Sequence, residues 1–330
     1  MFEFINLIKK SSKTIQSDFD HWFKDIPVAS TWILASDYCV GDKNKKSDAF
    51  SFVIIPQHDT DQNIASYIST VAPKDIKSTR TPSEGLLDYL SCPVTFSYNF
   101  VVERESHYLR NATTVSVMKS LTEAMIATVH DWQSAEPANA KYYSDFDRKL
   151  NAMLEELSGK NPSSALFRRI FLVSSFAAIA LSLINEKKAP LNIRWISDRD
   201  AMFDRHDGIA FDITWLLFQT MRRIKGGYID VRRPQLIFAT PYMDGFTDYA
   251  EFVRMPDLLA GTLADMRIPN IMFSHRKFPP VFNRLFLNSL NNAIVEIVAS
   301  PGNITSRRIA FGEPPKGFTT TRPYKNNPIT

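Results

Sequence analysis

The sequence predicts an α/β protein with a mixed five-stranded sheet, an antiparallel meander followed by parallel crossovers, and helices on both faces. Three observations carry this. Thr31–Pro56 reads as two apolar runs bracketing a turn rich in Asp, Lys, Asn and Gly, which is a hairpin signature. Val94–Glu103 (VTFSYNFVVE) alternates as a third strand. Two short apolar strands, Leu191–Ser197 and Gln235–Thr240, then alternate with helical stretches, which is the pattern of parallel crossover units. Strand order is not legible at this level, and no internal repeat is present.

Taken in order, residues 2–25 place Phe2, Ile5, Ile8, Ile15, Phe19, Trp22 and Phe23 at helical spacing and predict an amphipathic N-terminal helix within 1–30. In the first strand of the hairpin, Ile33, Ala35 and Asp37 share one face and Trp32, Leu34, Ser36 and Tyr38 the other. Residues 57–92 are polar and turn-rich, ending in a short helix. A long helical stretch covers roughly 106–188, broken near Glu136–Pro137 and at Gly159–Pro162. Phe203–Ile224 is helical and is stopped by Gly226–Gly227. Pro256 opens a helix, PDLLAGTLADM, at the turn where its missing donor does no harm. A last helix over Val281–Val298 precedes a tail that wraps the surface or frays.

Composition bounds the class. With 44% hydrophobic and 22% charged residues, the chain is ordinary globular material. Its longest apolar run, Ile170–Ile184, carries three serines and reads as a buried helix, so no membrane association is expected. The N-terminal apolar residues precede the lysines, the reverse of a secretory signal. Cys39 and Cys92 lie outside any C-x-x-C spacing, which suits a reducing cytoplasm and excludes a thiolate zinc site. The net charge of +4 is uneven: residues 266–330 hold nine Lys/Arg against Glu296 and Glu313, hence +7, leaving −3 elsewhere. A basic end points to a phosphate-bearing partner, or is simply a solvated tail.

Four acids stand at the ends of these elements. Asp37 ends a mostly apolar strand, where it opens the turn or serves a site, because burying it unpaired is costly. WISDRD supplies Asp198 at the end of the fourth strand, while Asp200, Asp204 and Asp207 cap or flank the following helix. Asp257 sits near the predicted helix start, where it complements the helix dipole or joins the site. Asp75 and Lys77 in KDIKST are a solvated pair or a further acid and a phosphate contact. Asp265, about 12 Å further along the helix than Asp257, is expected at the surface. His206 in DRHDG is expected to be an ordinary surface histidine. The chain has no G-x-S-x-G, H-E-x-x-H, Walker or G-x-G-x-x-G motif.

The element order, with an acid ending the first strand, resembles the ribonuclease H-like superfamily. More narrowly it resembles the bacterial domain of unknown function 3800 family. Asp37 in ILASDYCVGD corresponds to that family's strand-ending D-E-S-G, and Asp75, Ile76 and Lys77 to its E-[LI]-K. MPDLLAG corresponds to its closing A-D-L-[LIV]-A-G helix. D-Y-C-V for D-E-S-G, and aspartate for glutamate at position 75, are departures. The resemblance implies an RNase H-like domain over 31–265 with a large helical insertion at about 106–190, followed by a basic helix and tail over 266–330. It also implies a divalent-metal-dependent nuclease, within a bacterial defence or toxin system, acting on RNA or DNA, with a protein partner of the same operon.

The chemistry agrees. Asp37, Asp198 and Asp257 converging on one sheet edge, with Asp75 in reach, would raise one another's pKa unless a cation neutralises them. Oxygen-only donors suit Mg²⁺ or Mn²⁺, and two ions about 3.5–4 Å apart can clamp the attacking and leaving oxygens of a phosphodiester. Lys77 is the candidate phosphate contact. The competing expectation is a non-catalytic RNase H-like module that binds nucleic acid or a protein.

Overall fold

The computed structural model describes residues 2–27, 29–74, 76–103, 107–226, 234–240, 249–268, 270–287, 289–300 and 303–312. In chain order the elements are α1 (Phe2–Ser11), α2 (Lys13–Trp22), β1 (Thr31–Cys39), β2 (Ser47–Pro56), α3 (Asp61–Val71), α4 (Glu84–Ser91) and β3 (Phe96–Glu103). Next come α5 (His107–Ala112), α6 (Val115–Ala135), α7 (Ala140–Ser158), α8 (Ser164–Lys188), β4 (Asn192–Ser197), α9 (Ala201–Asp204) and α10 (Ile209–Gly226). The chain continues with β5 (Gln235–Ala239), α11 (Tyr249–Asp265), α12 (Phe278–Leu285), β6 (Asn292–Ser300) and β7 (Asn303–Ile309).

All the strands join one mixed sheet, ordered β5-β4-β1-β2-β3-β6-β7. The antiparallel meander β1-β2-β3 and the parallel crossovers into β4 and β5 are as the sequence predicts, and the structure adds their order, β4 beside β1 and β5 beside β4. The alternation in β1 divides the core as expected. Ile33 and Ala35 join Val53, Ile55, Ile196 and Ile294 under α3, α4, α11 and α12. Trp32 and Leu34 join Phe50, Phe52, Phe100 and Trp195 on the other face, under α1, α2, α8 and α10. There Phe176 of α8 stacks on Phe100 at 4.2 Å between ring centroids. Helix α8 is long and apolar enough to cross a membrane, but 89% of its most apolar window is buried inside the fold.

Several expectations are corrected. The sheet has two further strands, because the region read as a helix over Val281–Val298 is α12 followed by β6. The run Ile294–Val298 is rich in β-branched residues, which favour a strand. It is paired on both sides, parallel to β3 and antiparallel to β7. Asn291 fixes the entry: its buried side-chain amide donates to the Leu90 and Thr95 carbonyls at 2.8 and 3.1 Å. Part of the expected surface tail is therefore β7, an edge strand. There Arg308 pairs with Asp18, and Arg307 bonds Glu296 at 2.5 Å.

The N-terminal helix is split at Ser12, whose hydroxyl donates to the Ile8 carbonyl at 2.7 Å and accepts from Tyr98 at 2.6 Å. Within residues 57–92 an unforeseen helix, α3, begins where Thr60 caps the Asn63 amide. The helix read as one unit from Phe203 is divided by a turn at His206–Gly208, where all three residues adopt positive φ.

Helix α11 does not begin at Pro256: that proline lies seven residues inside it. Proline removes an intrahelical donor and costs about 3 kcal/mol in a helix interior. Here Phe252, Val253 and Met255 upstream are buried at 0, 8 and 0% exposure, and that packing keeps the helix continuous through the proline.

Candidate acidic site

The parallel register of β1 and β4 builds the first half of the site. Ser36 pairs with Ser197, and the Asp198 amide extends the ladder by donating to the Ser36 carbonyl at 2.9 Å. Asp198 is thereby held beside the next residue of β1, Asp37. The ladder end is fixed from the opposite face. There Trp195 donates from Nε1 to Ser36 Oγ at 2.8 Å, and the Tyr38 hydroxyl bonds Ser36 Oγ at 2.6 Å and Ser197 Oγ at 3.0 Å. Burial pushes the Tyr38 phenol far above its ordinary value, so it stays protonated in this network.

The second half comes from α11, which crosses β1 and β2 on the Asp37 face. It presents Asp257 from its interior, so attraction to a helix N-terminus does not explain that acid. Lys77, in a single 3-10 turn over Ile76–Ser78, reaches Asp257 at 3.2 Å. The Lys77 side chain is 71% exposed, so this pairing is a weak one.

Asp37 is the electrostatic centre. It is 5% exposed and accepts the Tyr38 amide at 2.6 Å. Burial, then the charges of Asp257 and Asp198, hold its carboxyl well above the usual aspartate range, against smaller opposing effects of the Tyr38 amide and Lys77. Asp198, from a strand end, and Asp257, from a helix, thus both act on Asp37. Asp75 lies outside the described residues. Among the described residues, no three His, Cys, Asp or Glu side chains are grouped closely enough to enclose a metal ion.

Residues missed in the sequence extend the polar row. Ser51 lies opposite Asp37, and Asn99 opposite Ser51. The Ser51 hydroxyl and the Asn99 side-chain oxygen are buried without a hydrogen-bond partner. Buried polar groups are rarely left so. The signal was available, since both interrupt apolar strands on the face that carries Asp37.

The other acids have separate duties. Asp200 caps α9 by accepting the Met202 amide at 2.9 Å, as expected, and Asp207 pairs with Arg148 at 3.0 Å. His206 is not an ordinary surface histidine. It is half-buried, stacked on Phe167, and 3.1 Å from Glu156.

Asp265 is likewise not at the surface: it is 4% exposed, paired with buried Lys45, and accepts the Ser274 amide at 2.7 Å. The helix leans inward at that end, with Ala264 at 0% exposure. On the same helix Gly261 faces α12: a Cβ there would meet the Phe278 ring at 3.6 Å.

No protein-family model, curated protein or solved structure matches this chain.

Proposed function

We propose that this protein is an RNase H-like, divalent-metal-dependent phosphodiesterase that acts on nucleic acid. The observation that carries the reading is Asp37, a buried carboxylate repelled by Asp198 and Asp257. Carboxylates are brought together against their own repulsion where a cation offsets it. The meander β1-β2-β3 followed by parallel β4 and β5 supports the RNase H-like part, while the β6-β7 hairpin extends the sheet beyond it.

The donor set suits Mg²⁺ or Mn²⁺ in kind, being oxygen only. Mg²⁺ keeps several waters and commonly takes one or two carboxylates together with substrate phosphate. Among the described residues no three His, Cys, Asp or Glu side chains group closely enough to enclose an ion, so the reading requires that open mode, with water and substrate phosphate completing the shell. Asp37 with Asp198 or Asp257 would hold the ion, and Ser51 offers a buried donor beside Asp37. When bound, such an ion polarises a phosphoryl oxygen and lowers the pKa of a coordinated water.

The chain's own residues supply the rest. Lys77 is poised to exchange Asp257 for a phosphate oxygen of the substrate, which orients the scissile group. The Ser36–Tyr38–Ser197–Trp195 network keeps the Asp37–Asp198 ladder end in place.

A non-catalytic binding module is the second reading, favoured by the absence of a closed ligand triad among the described residues. One assay separates the two. Labelled RNA and DNA oligonucleotides are incubated with wild type, Asp37→Asn and Asp257→Asn in Mn²⁺, and both binding and cleavage are followed. The proposal expects cleavage by wild type alone, with binding retained by the variants. Binding without cleavage in any metal would establish the module instead.

A further inference from the structure

A cleft of about 240 Å³ opens beside the acidic site, between α11 and the segment joining α3 to α4. Its floor is apolar, formed by Ala72, Leu86 and Leu258, all at most 5% exposed. Its rim carries Lys74, Thr79 and Thr81. The cleft and the acidic site share both walls. On α11, Arg254 and Leu258 line the cleft, and Asp257 lies on the same helical face at the i+3 position from Arg254. On the facing segment, Ile76 and Thr79 line the cleft and flank Lys77, which contacts Asp257.

The surrounding surface is basic. Lys74, Lys77 and Arg80 are exposed along one short segment, in which Asp75 is the sole acid. Lys277 donates to the Ile76 carbonyl at 2.8 Å and so brings the Arg276–Lys277 turn against the same segment. Arg254 is committed to the wall, since it donates to the Ala72 carbonyl and pairs with Glu251 at 2.9 Å. A small recess with an apolar floor, Lys74 on its rim and further cations on the adjoining surface, beside a phosphate-directed site, matches a nucleotide whose base is out of the stack.

We infer that this cleft receives one unpaired base next to the scissile phosphate, so that the substrate is single-stranded nucleic acid. Base-paired, stacked bases cannot enter such a recess, whereas single strands splay theirs. The volume lies below the roughly 300–1,000 Å³ of pockets for drug-sized ligands, which suits one base rather than several. Lys74 on the rim and the exposed Arg80 on the same segment are the candidates for contacts to flanking phosphates. The inference rests on the proposed phosphodiester chemistry for its orientation but not for its test.

The test is fluorescence anisotropy with labelled oligothymidylate and oligouridylate of about 12 nucleotides, and a duplex of equal length. Each is measured in EDTA and in Ca²⁺. Wild type is expected to bind one or both single strands roughly tenfold more tightly than the duplex, in line with the contribution of one seated base. Thr81→Trp fills the recess from an exposed position, so the fold is retained, and the preference should vanish. Lys74→Ala should flatten the salt dependence for single strands by about 0.7 in slope.

Equal affinity for duplex, or a preference untouched by Thr81→Trp, overturns the inference. Mn²⁺-dependent cleavage that ignores strandedness would overturn it while leaving the phosphodiesterase proposal standing. A Thr81-dependent single-strand preference without cleavage in any metal does the reverse.

Discussion

Replacing Lys45 by methionine tests how the acidic site is braced. The Lys45 ammonium pairs with Asp265, and both side chains are nearly inaccessible, at 8% and 2% exposure. The pair ties the β1–β2 connection to the last turn of α11, the helix that carries Asp257. Removing one partner of a buried pair costs about 3–5 kcal/mol, because the other charge is left uncompensated. Asp265 would keep the Ser274 amide and hydroxyl, so the lower half of that range applies, about 3–4 kcal/mol. With an unfolding entropy of about 2.1 cal/mol/K per residue, a cooperative chain of this length loses about 4–6 °C of melting temperature.

The assay is thermal unfolding of Lys45→Met, Asp265→Leu and the double variant. Replacing both partners with apolar groups is often close to neutral, so the double variant should melt above either single variant. Strictly additive losses would refute the argument, since they would show that the two charges do not interact energetically.

Two further outcomes are expected. Because the Asp37 carboxyl is held well above its usual range, metal-free folded protein binds more protons than the unfolded chain between 3.8 and the raised value. Stability therefore falls as pH rises across that window. Asp37→Asn should be more stable than wild type at neutral pH, with the gap closing on acidification. A pH-independent gap in urea unfolding would contradict this. On β7, Arg307 and Arg308 already pair with Glu296 and Asp18. Their joint replacement by alanine should change the salt dependence of nucleic-acid binding by less than the one unit expected per lost phosphate contact. A larger change would return the basic C-terminal region to a role in binding.

The five strands legible in the sequence are those in which apolar alternation is bounded by turn residues, as in β1, β2 and β3. The same alternation placed Asp37 on the face that α11 covers. What escaped was set by tertiary context. Ile294–Val298 is a short apolar run that periodicity alone leaves compatible with a helix, and what makes it a strand is its pairing with β3 on one edge and β7 on the other. Pro256 reads locally as a helix start, but the burial of Phe252 and Met255 lies outside any local rule. Asp265 was misplaced for a similar reason: its partner, Lys45, is 220 residues away. Strand order followed from no local signal, yet it decides that Asp198 stands beside Asp37.

The central claim is that Asp37, together with Asp198 or Asp257, holds a divalent cation. Melting temperatures of wild type, Asp37→Asn and Asp257→Asn, each with and without Mn²⁺, test it most directly. Binding to the folded state alone stabilises by about 2.7 kcal/mol at one hundred times the dissociation constant, a rise of about 4 °C by the same entropy scaling. The account predicts that rise in wild type and its loss in Asp37→Asn, while the outcome in Asp257→Asn assigns the second ligand: loss for Asp257, persistence for Asp198. No rise in wild type, or one that persists in Asp37→Asn, contradicts it.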